Sequence, residues 1–240
     1  MPSKRPPLIN GQIYHIIVRA IEDLQLFRNE KDYLRMTHDL FEFNDEDPVS
    51  SVYRVSLVRT PNVTRSFLVT LGERRKKRKM LVEVLTFCLM PNHIHLLIRQ
   101  LREGGISKFM RKIGAGYGLY YNQKYKRNGR LFQGRYKIVL AENNEQLKTL
   151  FVYIHTNPTA IIFPKWKERG IKDLKKAVKY IENYRWSSYP DYLGNKNFPS
   201  LTSREFLAKL MGGISGYREF VNGWLRFKKK LVDFEKLTLE

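Results

Sequence analysis

Cysteine is nearly absent from this 240-residue chain. The one that is present, Cys88, has no second cysteine with which to form an internal disulfide, and such usage is typical of a reducing compartment. We therefore expect a cytoplasmic protein. Cys88 stands between Phe87 and Leu89 in an apolar run, which favours a small buried side chain over a reactive nucleophile.

Long hydrophobic runs are also missing. The first ten residues, MPSKRPPLIN, contain no apolar segment that could act as a signal peptide. The apolar stretch 84–98, which has no charged residue, is too short to cross a bilayer and is interrupted by Pro91 and Asn92. The sequence therefore predicts neither a leader of that kind nor a membrane span. It also lacks the lysine-containing glycine loop that binds nucleoside triphosphates.

Acidic residues are scarce relative to basic ones. The chain has 44 Lys and Arg against 23 Asp and Glu, a net charge of +21. The first fifty residues hold six basic and nine acidic side chains, so the other 190 carry +24. This excess indicates a polyanionic partner, with nucleic acid as the first choice and a membrane surface as the second.

Hydrophobic periodicity predicts an α+β fold. Strands are predicted over 12–20, 80–90, 93–100 and 131–141, and helices over 29–44, 104–125, 143–157 and 172–184, with two short helices in the last fifty residues. Residues 51–71 could form one or two short strands. The order of the first elements matches a ferredoxin-like antiparallel sheet with helices on its faces.

Two histidines alternate along one predicted strand. In the segment CLMPNHIHLLIRQ, His93 and His95 are separated only by Ile94. Side chains two residues apart on a strand point to the same face, so the two imidazoles are expected to lie side by side. Such a pair is typical of a metal or phosphate site, but the pair alone does not exclude an incidental arrangement.

The helix predicted over 143–157 carries two further polar side chains of interest. Tyr153 and Asn157 lie one turn apart along one border of its apolar stripe, and Pro158 disfavours continuation of the helix. Taken singly, they are a packing tyrosine and a helix-terminating asparagine. His155 projects away from that border and is expected to be exposed. The stripe itself consists of Leu147, Leu150, Phe151 and Ile154.

These four polar side chains suit metal-assisted phosphoryl transfer if the fold brings them together. A metal held by His93, His95 and Asn157 polarises a phosphate oxygen, and the phenol of Tyr153 attacks phosphorus and becomes covalently linked. An unperturbed phenol has a pKa of about 10, so it must lose its proton during the reaction. The sequence identifies no base for this step.

A basic surface is predicted around these elements. Residues 104–141 contain no acidic side chain, and aromatic residues are interleaved with the cations, which is typical of a surface for unpaired nucleic-acid strands. The alternative is that the aromatic side chains belong to the core. The predicted DNA-binding residues there are Lys108, Arg111, Lys112, Lys124, Lys126, Arg127, Arg130, Arg135 and Lys137. A second candidate is the cationic run Arg74, Arg75, Lys76, Lys77, Arg78 and Lys79.

Five motifs in this order resemble those of the REP-associated tyrosine transposases, which belong to the single-tyrosine HUH superfamily of single-strand transposases. They cover most of residues 12–194, and the most specific are MPNHIHLLI and YIHTNP. The five are YHIIVRA, LMPNHIHLLI, GRLFQGRYK, YIHTNP and YRWSSYPDYLG.

The resemblance implies a divalent-metal-dependent endonuclease and strand transferase that acts on single-stranded DNA with a hairpin. Tyr153 matches the nucleophile, which leaves a 5′-phosphotyrosine and a free 3′-hydroxyl. His93 and His95 match the histidine pair, and Asn157 matches the polar third ligand. The implied cofactor is Mg²⁺ or Mn²⁺, and the protein is expected to be a monomer or a homodimer.

The resemblance also suggests a division of the chain. Residues 1–160 are expected to form the transposase and nuclease domain, and residues 161–240 a basic helical C-terminal extension. Residues 45–79 look inserted relative to the family pattern and carry the cationic run.

Three alternatives remain open from the sequence. The first is a non-catalytic descendant that binds DNA hairpins. The second is a metallo-phosphoesterase that uses water as the nucleophile, with RNA as a possible substrate. The third is a basic structural protein on membranes or ribosomes.

Overall fold

The computed structural model describes residues 5–47 and 78–226. Four antiparallel strands form one sheet: β1 (Ile13–Arg19), β2 (Val82–Met90), β3 (His93–Gln100) and β4 (Lys137–Leu140). Their order in space is β2-β3-β1-β4. The predicted strands at 51–71 lie outside the described residues.

Helices cover both faces of the sheet. The long ones are α1 (Glu30–Glu42), α2 (Gly105–Lys124) and α3 (Asn144–Thr156). Downstream follow α4 (Thr159–Ile162), α5 (Trp166–Arg169), α6 (Leu174–Glu182), α7 (Tyr189–Tyr192), α8 (Glu205–Met211) and α9 (Gly213–Arg226). The α+β ferredoxin-like fold with a helical C-terminal part is confirmed. None of the described helices is both long and apolar enough to cross a membrane.

The alternation of side chains along β1 and β3 divides the core in two. Ile16 and Ile94 belong to a cluster under α1 and α2, whereas Ile13 and Leu97 belong to a cluster on the opposite face. The second cluster is covered by α3 and the downstream helices, and it includes residues from β2 through α9. The helix α3 therefore lies between the sheet and the C-terminal part of the chain.

Residues 161–226 thus share a hydrophobic cluster with α3 and β2. Whether they form a unit separate from residues 1–160 stays a prediction. Of the predicted insert at 45–79, only 45–47 and 78–79 lie in the described part of the chain.

Candidate functional site

The two histidines of β3 lie side by side, as their spacing predicted, and His95 contacts α3. His93 and His95 point away from the core cluster that contains Ile94, and their ring centroids are 4.8 Å apart. In the sheet register, His95 is opposite Ile17 of β1 and His93 is opposite Arg19. The pair therefore lies on central strands of the sheet, where the backbone is fixed on both sides.

A third imidazole, which the sequence reasoning missed, joins them. His15 of β1 lies on the same face, and its Nε2 is 3.0 Å from Nδ1 of His95. The two rings are stacked with centroids 5.3 Å apart. Period-two spacing within YHIIVRA could have assigned His15 to a face, but it could not show that β1 would pair with β3.

The tyrosine of α3 meets this group. The ring of Tyr153 is 5.7 Å from that of His95 and 5.9 Å from that of His15, in edge-on contact with both. Its position follows from the packing of α3, whose predicted stripe is buried throughout. Asn143 caps the start of the helix, because its side chain accepts a hydrogen bond from the backbone nitrogen of Gln146 at 2.9 Å. Two imidazoles and a phenol from distant parts of the chain are thus side by side.

Asn157 closes the helix that carries Tyr153. It is the C-terminal cap of α3, and its Nδ2 donates a hydrogen bond of 3.1 Å to the backbone carbonyl of Tyr153. This arrangement uses the amide nitrogen and leaves the carboxamide oxygen as the atom suited to a cation. Asn157 is buried, as are His95 and Tyr153.

A lysine from the downstream chain contacts the phenol. Lys167 Nζ is 3.4 Å from the Tyr153 hydroxyl and 4.5 Å from the centroid of its ring. The neighbouring Trp166 is buried in the same core cluster and holds α5 in place. Lys167 is one of many lysines in a basic region, and no sequence signal distinguished it.

His95 is held neutral by its surroundings. Burial is the largest cause that lowers the pKa of this imidazole well below its usual value, and the nearby His93, His15, Lys167 and Arg19 lower it further. A neutral imidazole keeps a lone pair for a metal ion. The same residues contribute no carboxylate: within the described ranges, no group of three or more His, Cys, Asp or Glu is placed to hold a metal. That Asn157 supplies the further ligand of a metal site stays a prediction.

His155 is buried, and the prediction that it is exposed was wrong. Its Nε2 is 2.8 Å from the hydroxyl of Ser188, which also accepts a hydrogen bond from the backbone nitrogen of Phe87 at 3.0 Å. The ring packs against Phe151 and Tyr189. The border of α3 that faces away from the sheet site is covered by the downstream chain, which periodicity in α3 alone could not reveal. The motifs YIHTNP and YRWSSY are joined here.

The predicted basic surface divides into bound and exposed cations. Lys124 forms a 2.5 Å ion pair with Asp32, Lys108 pairs with Glu46 at 3.8 Å, and Lys112 donates to the backbone carbonyls of Asp45 and Asp47. Arg127 donates to Asn122 and to the Arg130 carbonyl. The side chains of Arg111, Lys126, Arg130 and Arg135 are exposed, and Lys137 is exposed as well but also interacts within the protein.

The aromatic residues of this region are mostly part of the core. Phe109, Tyr117 and Tyr121 are buried, and the two tyrosine hydroxyls donate to backbone carbonyls of Leu26 and Gln25. They are not available to stack on bases. Phe132 and Tyr136 are only partly buried and lie closer to the surface.

The cationic run is described only at its end. Arg74, Arg75, Lys76 and Lys77 lie outside the described residues. Arg78 donates to the backbone carbonyls of Phe41 and Asn44 and packs over the Phe41 ring, so it stabilises the end of α1. The side chain of Lys79 is exposed.

The sheet is ferredoxin-like, and its histidine pair meets a tyrosine carried by a helix. This is the arrangement expected of the single-tyrosine transposases, the class that the motifs indicate. A family model described as "Transposase IS200 like" matches residues 50–157. That segment carries His93, His95, Tyr153 and Asn157, so all four candidate site residues lie within the matched range. The resemblance found in the sequence is thereby confirmed.

The fold is also similar to that of a solved protein. A structure of a REP-associated tyrosine transposase bound to a REP hairpin aligns with a TM-score of 0.50 at 14% sequence identity. The alignment covers 85% of this chain and 93% of the other. At this identity the likeness is one of fold. No curated protein sequence matches the chain.

Proposed function

We propose that the protein is a metal-dependent single-stranded DNA endonuclease and strand transferase that acts on hairpin-flanked DNA with Tyr153 as its nucleophile. The observation that carries this proposal is the contact between Tyr153 and His95, whose ring centroids are 5.7 Å apart. The match to the IS200-like transposase model supports DNA transposition as the process. The hairpin-bound state of the structurally similar protein supports a hairpin as the partner.

The donor set fits a divalent cation. His93, His95 and Asn157 would hold Mg²⁺ or Mn²⁺, and imidazole ligands are better suited to manganese. When bound, such an ion polarises the scissile phosphate and neutralises charge on its oxygens. His15 would orient His95 without binding the metal itself. If His15 accepts the Nδ1 proton of His95, it fixes the tautomer of His95 in which Nε2 is the ligand atom.

The chain's own residues perform the transfer. The phenol oxygen of Tyr153 forms a bond to phosphorus, and the bond from phosphorus to the 3′-oxygen breaks. The phenol proton goes to solvent, and the departing 3′-oxygen takes up a proton to become a hydroxyl. A 3′-hydroxyl of the receiving strand then attacks the phosphotyrosine and restores the phenol. No nucleoside triphosphate is needed because each step exchanges one phosphodiester for another.

Lys167 stabilises the charge that develops on the phenol oxygen. Its ammonium group is 3.4 Å from that oxygen, so it can donate a hydrogen bond to the phenolate without a prior movement of the backbone. The cation supports both directions of the transfer, since the same phenolate leaves when the DNA is rejoined. The sequence had identified no residue for this role.

The test is covalent capture. We expect the full-length protein to form an adduct that survives SDS when it is incubated with hairpin-flanked single-stranded DNA and Mn²⁺. The adduct should carry DNA labelled on the 3′ side of the cut and should be absent from Tyr153→Phe. Tyr180→Phe, which removes a hydroxyl from the downstream helix α6, is the matched control.

Three outcomes would oppose the proposal. Tight hairpin binding with no adduct at any metal concentration would indicate a binding protein without catalysis. Cleavage that persists in Tyr153→Phe would indicate water as the nucleophile, and RNA should then be compared with DNA as substrate. If the wild-type protein shows no metal-dependent activity, and His93→Ala and Asn157→Ala behave in the same way, a structural role would be indicated.

A further inference from the structure

The turn between β2 and β3 positions the first histidine of the pair. Pro91 and Asn92 form this turn, and His93 follows directly as the first residue of β3. The side chain of Asn92 lies beside the imidazole, with its Oδ1 at 2.6 Å from Nδ1 of His93. The orientation of this ring therefore depends on what holds Asn92 in place.

The segment that follows β1 holds the turn through its backbone. The backbone nitrogen of Ala20 donates to the carbonyl of Asn92 at 2.9 Å. The backbone nitrogens of Leu26 and Phe27 donate to the carbonyl of Pro91, at 2.7 Å and 3.4 Å. Both residues of the turn are thus bound to residues 20–27, a segment that is distant from them in the sequence.

A carboxylate from the same segment contacts the side chain of Asn92. Asp23 Oδ1 is 3.3 Å from Nδ2 of Asn92. Asp23 ends a single turn of 3₁₀ helix, Ile21–Asp23, in which Glu22 and Asp23 have positive φ angles of 50° and 53°. Left-handed backbone is unfavourable for residues with a Cβ and persists only where the surrounding structure requires it. The residue that contacts Asn92 is therefore one of two strained residues in this segment.

The chemistry of the three groups fixes the direction of both hydrogen bonds. An ionised carboxylate only accepts, so the amide nitrogen of Asn92 must face Asp23. The carbonyl oxygen of Asn92 then faces His93 and also only accepts, so Nδ1 of His93 must carry the proton. In a neutral imidazole this leaves the lone pair on Nε2. Asp23 thus selects the tautomer of His93 through the carboxamide between them.

The second histidine of the pair has a matching contact. Nδ1 of His95 is 3.0 Å from Nε2 of His15, so in both histidines the contacted ring atom is Nδ1. Nε2 is then the atom that each ring offers to a common ligand. Histidines that bind a metal usually donate their other ring N–H to a carboxylate, a carbonyl or water, and this contact raises the affinity for the metal.

We propose that Asp23 and Asn92 are positioning residues that hold His93 in its Nδ1-protonated form, with Nε2 presented to a divalent cation. The proposal rests on the proposed function in taking His93 as a metal ligand. It assigns to the segment after β1 a role in the metal site, although neither Asp23 nor Asn92 is placed among the ligands.

The tautomer can be read by ¹⁵N NMR of the full-length protein without metal or DNA. Histidine is ¹⁵N-labelled, the spectra are recorded above pH 8, where an ordinary imidazole is neutral, and the His93 signals are assigned by their absence from His93→Gln. We expect wild-type His93 to be protonated on Nδ1. Asn92→Ala should show the Nε2-protonated form as well. Asn92→Asp keeps an acceptor oxygen beside Nδ1 and should preserve the wild-type form.

Mn²⁺ affinity, measured by EPR titration without DNA, connects the tautomer to the metal site. Asn92→Ala should weaken Mn²⁺ binding about 10-fold, as is typical for loss of the hydrogen bond to a ligating histidine. Asp23→Asn should lose less, because an amide at position 23 both donates and accepts and no longer selects one orientation of Asn92. Glu22→Gln is the matched control, since it removes the same charge from the neighbouring exposed residue and should leave tautomer and affinity unchanged.

A wild-type His93 that is protonated on Nε2 would overturn the proposal. Equal losses of affinity in Asp23→Asn and Glu22→Gln would also overturn it, because the removal of charge alone would then be the cause. If Asn92→Ala does not fold, Asp23→Asn and Asn92→Asp carry the test, since both keep the size of the side chain.

These measurements separate the proposal from the proposed function. A fixed Nδ1-protonated His93 in a protein that binds no Mn²⁺ and forms no adduct rejects the metal site and the nuclease, but leaves the contact between Asp23, Asn92 and His93 in place. Mn²⁺ binding and adduct formation by a protein whose His93 exchanges freely between its tautomers rejects the positioning role alone.

Discussion

The chemistry available on the face of the sheet that meets α3 depends on a few individual side chains. His93, His95 and Tyr153 were assigned from spacing and motif, and the structure brings the three together. His15 and Lys167 were not assigned, although both contact members of the group. Spacing within a segment identifies which side chains share a face. It does not show which other segment will lie against that face.

At this scale, His15 offers a test of how the metal site is held. We expect His15→Phe to weaken Mn²⁺ binding about 10- to 100-fold, because the hydrogen bond that orients the His95 ring is lost. His15→Gln, which can still accept a hydrogen bond, should lose less. The measurement is titration of free Mn²⁺ by EPR without DNA. His38→Gln removes an imidazole from α1, on the other side of the sheet, and equal weakening by that variant would contradict the assignment.

Lys167 offers a test of the phenolate contact. We expect Lys167→Met to slow adduct formation at saturating DNA by about 100-fold, as for the loss of one donor to a developing oxyanion. Lys167→Arg should recover part of the rate, and the DNA dissociation constant should change little. Lys165→Met, two residues earlier and exposed, is the matched control. A variant that loses affinity but keeps its single-turnover rate would place Lys167 on the DNA instead.

His155 makes the stability of the fold depend on pH. Burial lowers the pKa of this imidazole to about 3, while in the unfolded chain it titrates near 6.5. Below pH 6.5 the unfolded state therefore binds a proton that the folded state does not, and stability decreases as the pH falls from 6.5 towards 3. The expected slope is about 1.4 kcal/mol per pH unit for this group.

Urea unfolding at pH 7, 5.5 and 4.5 measures that slope. His155→Gln keeps a hydrogen-bonding group for Ser188. It should reduce the slope by about 1.4 kcal/mol per pH unit, which corresponds to one proton. An unchanged slope in the variant would assign the pH dependence to other groups. His95, whose pKa is also lowered, should contribute in the same direction.

The bounds of some strands were predicted more accurately than those of others, and the local sequence explains the difference. The bounds of β3 agree with the prediction because an apolar run between a turn and a charged loop leaves few alternatives. The strand predicted over 131–141 is shorter, since only Lys137–Leu140 pairs with β1. Residues 131–136 carry strand-like residues but lie beyond the ladder, and their backbone instead meets the end of β1 through Phe132 and Gln133.

The packing of α2 provides a test at the scale of elements. A Cβ at Gly105 would be 2.4 Å from the backbone carbonyl oxygen of Leu81, so Gly105→Ala should destabilise the fold by about 1–3 kcal/mol. Gly118 in the same helix has no heavy atom within 4 Å of such a Cβ, and Gly118→Ala should stabilise it by up to about 1 kcal/mol. Chemical denaturation measures both, and opposite signs are the expected result.

The net positive charge of the whole molecule favours binding of a polyanion. In the structure, only some of the cations are exposed to such a partner. Several predicted DNA-binding cations, Lys137 among them, interact within the protein, whereas Arg111, Lys126, Arg130 and Arg135 stay exposed. A count of cations in the sequence could not make this distinction, because it depends on where the few carboxylates of the folded chain lie.

Salt dependence tests the exposed set. Four phosphate contacts on a single strand release counterions, so the logarithm of the binding constant should fall with the logarithm of salt concentration with a slope of about −3. Arg111→Gln should reduce the magnitude of that slope by about 0.7, whereas Lys112→Gln, which removes a cation already bound to the chain, should change it less. Affinity that is insensitive to ionic strength would contradict a phosphate-binding surface.

The helix α3 lies between the sheet and side chains encoded much later, including Tyr192 and Tyr217, which contact its Phe151. During synthesis from the N-terminus, the histidines leave the ribosome before the layer that fixes α3 has been made. A chain interrupted before about residue 217 therefore emerges without the support that holds Tyr153 in place. The arrangement around Tyr153 is completed only after this later segment has been translated, so products truncated before it are expected to be inactive as nucleases.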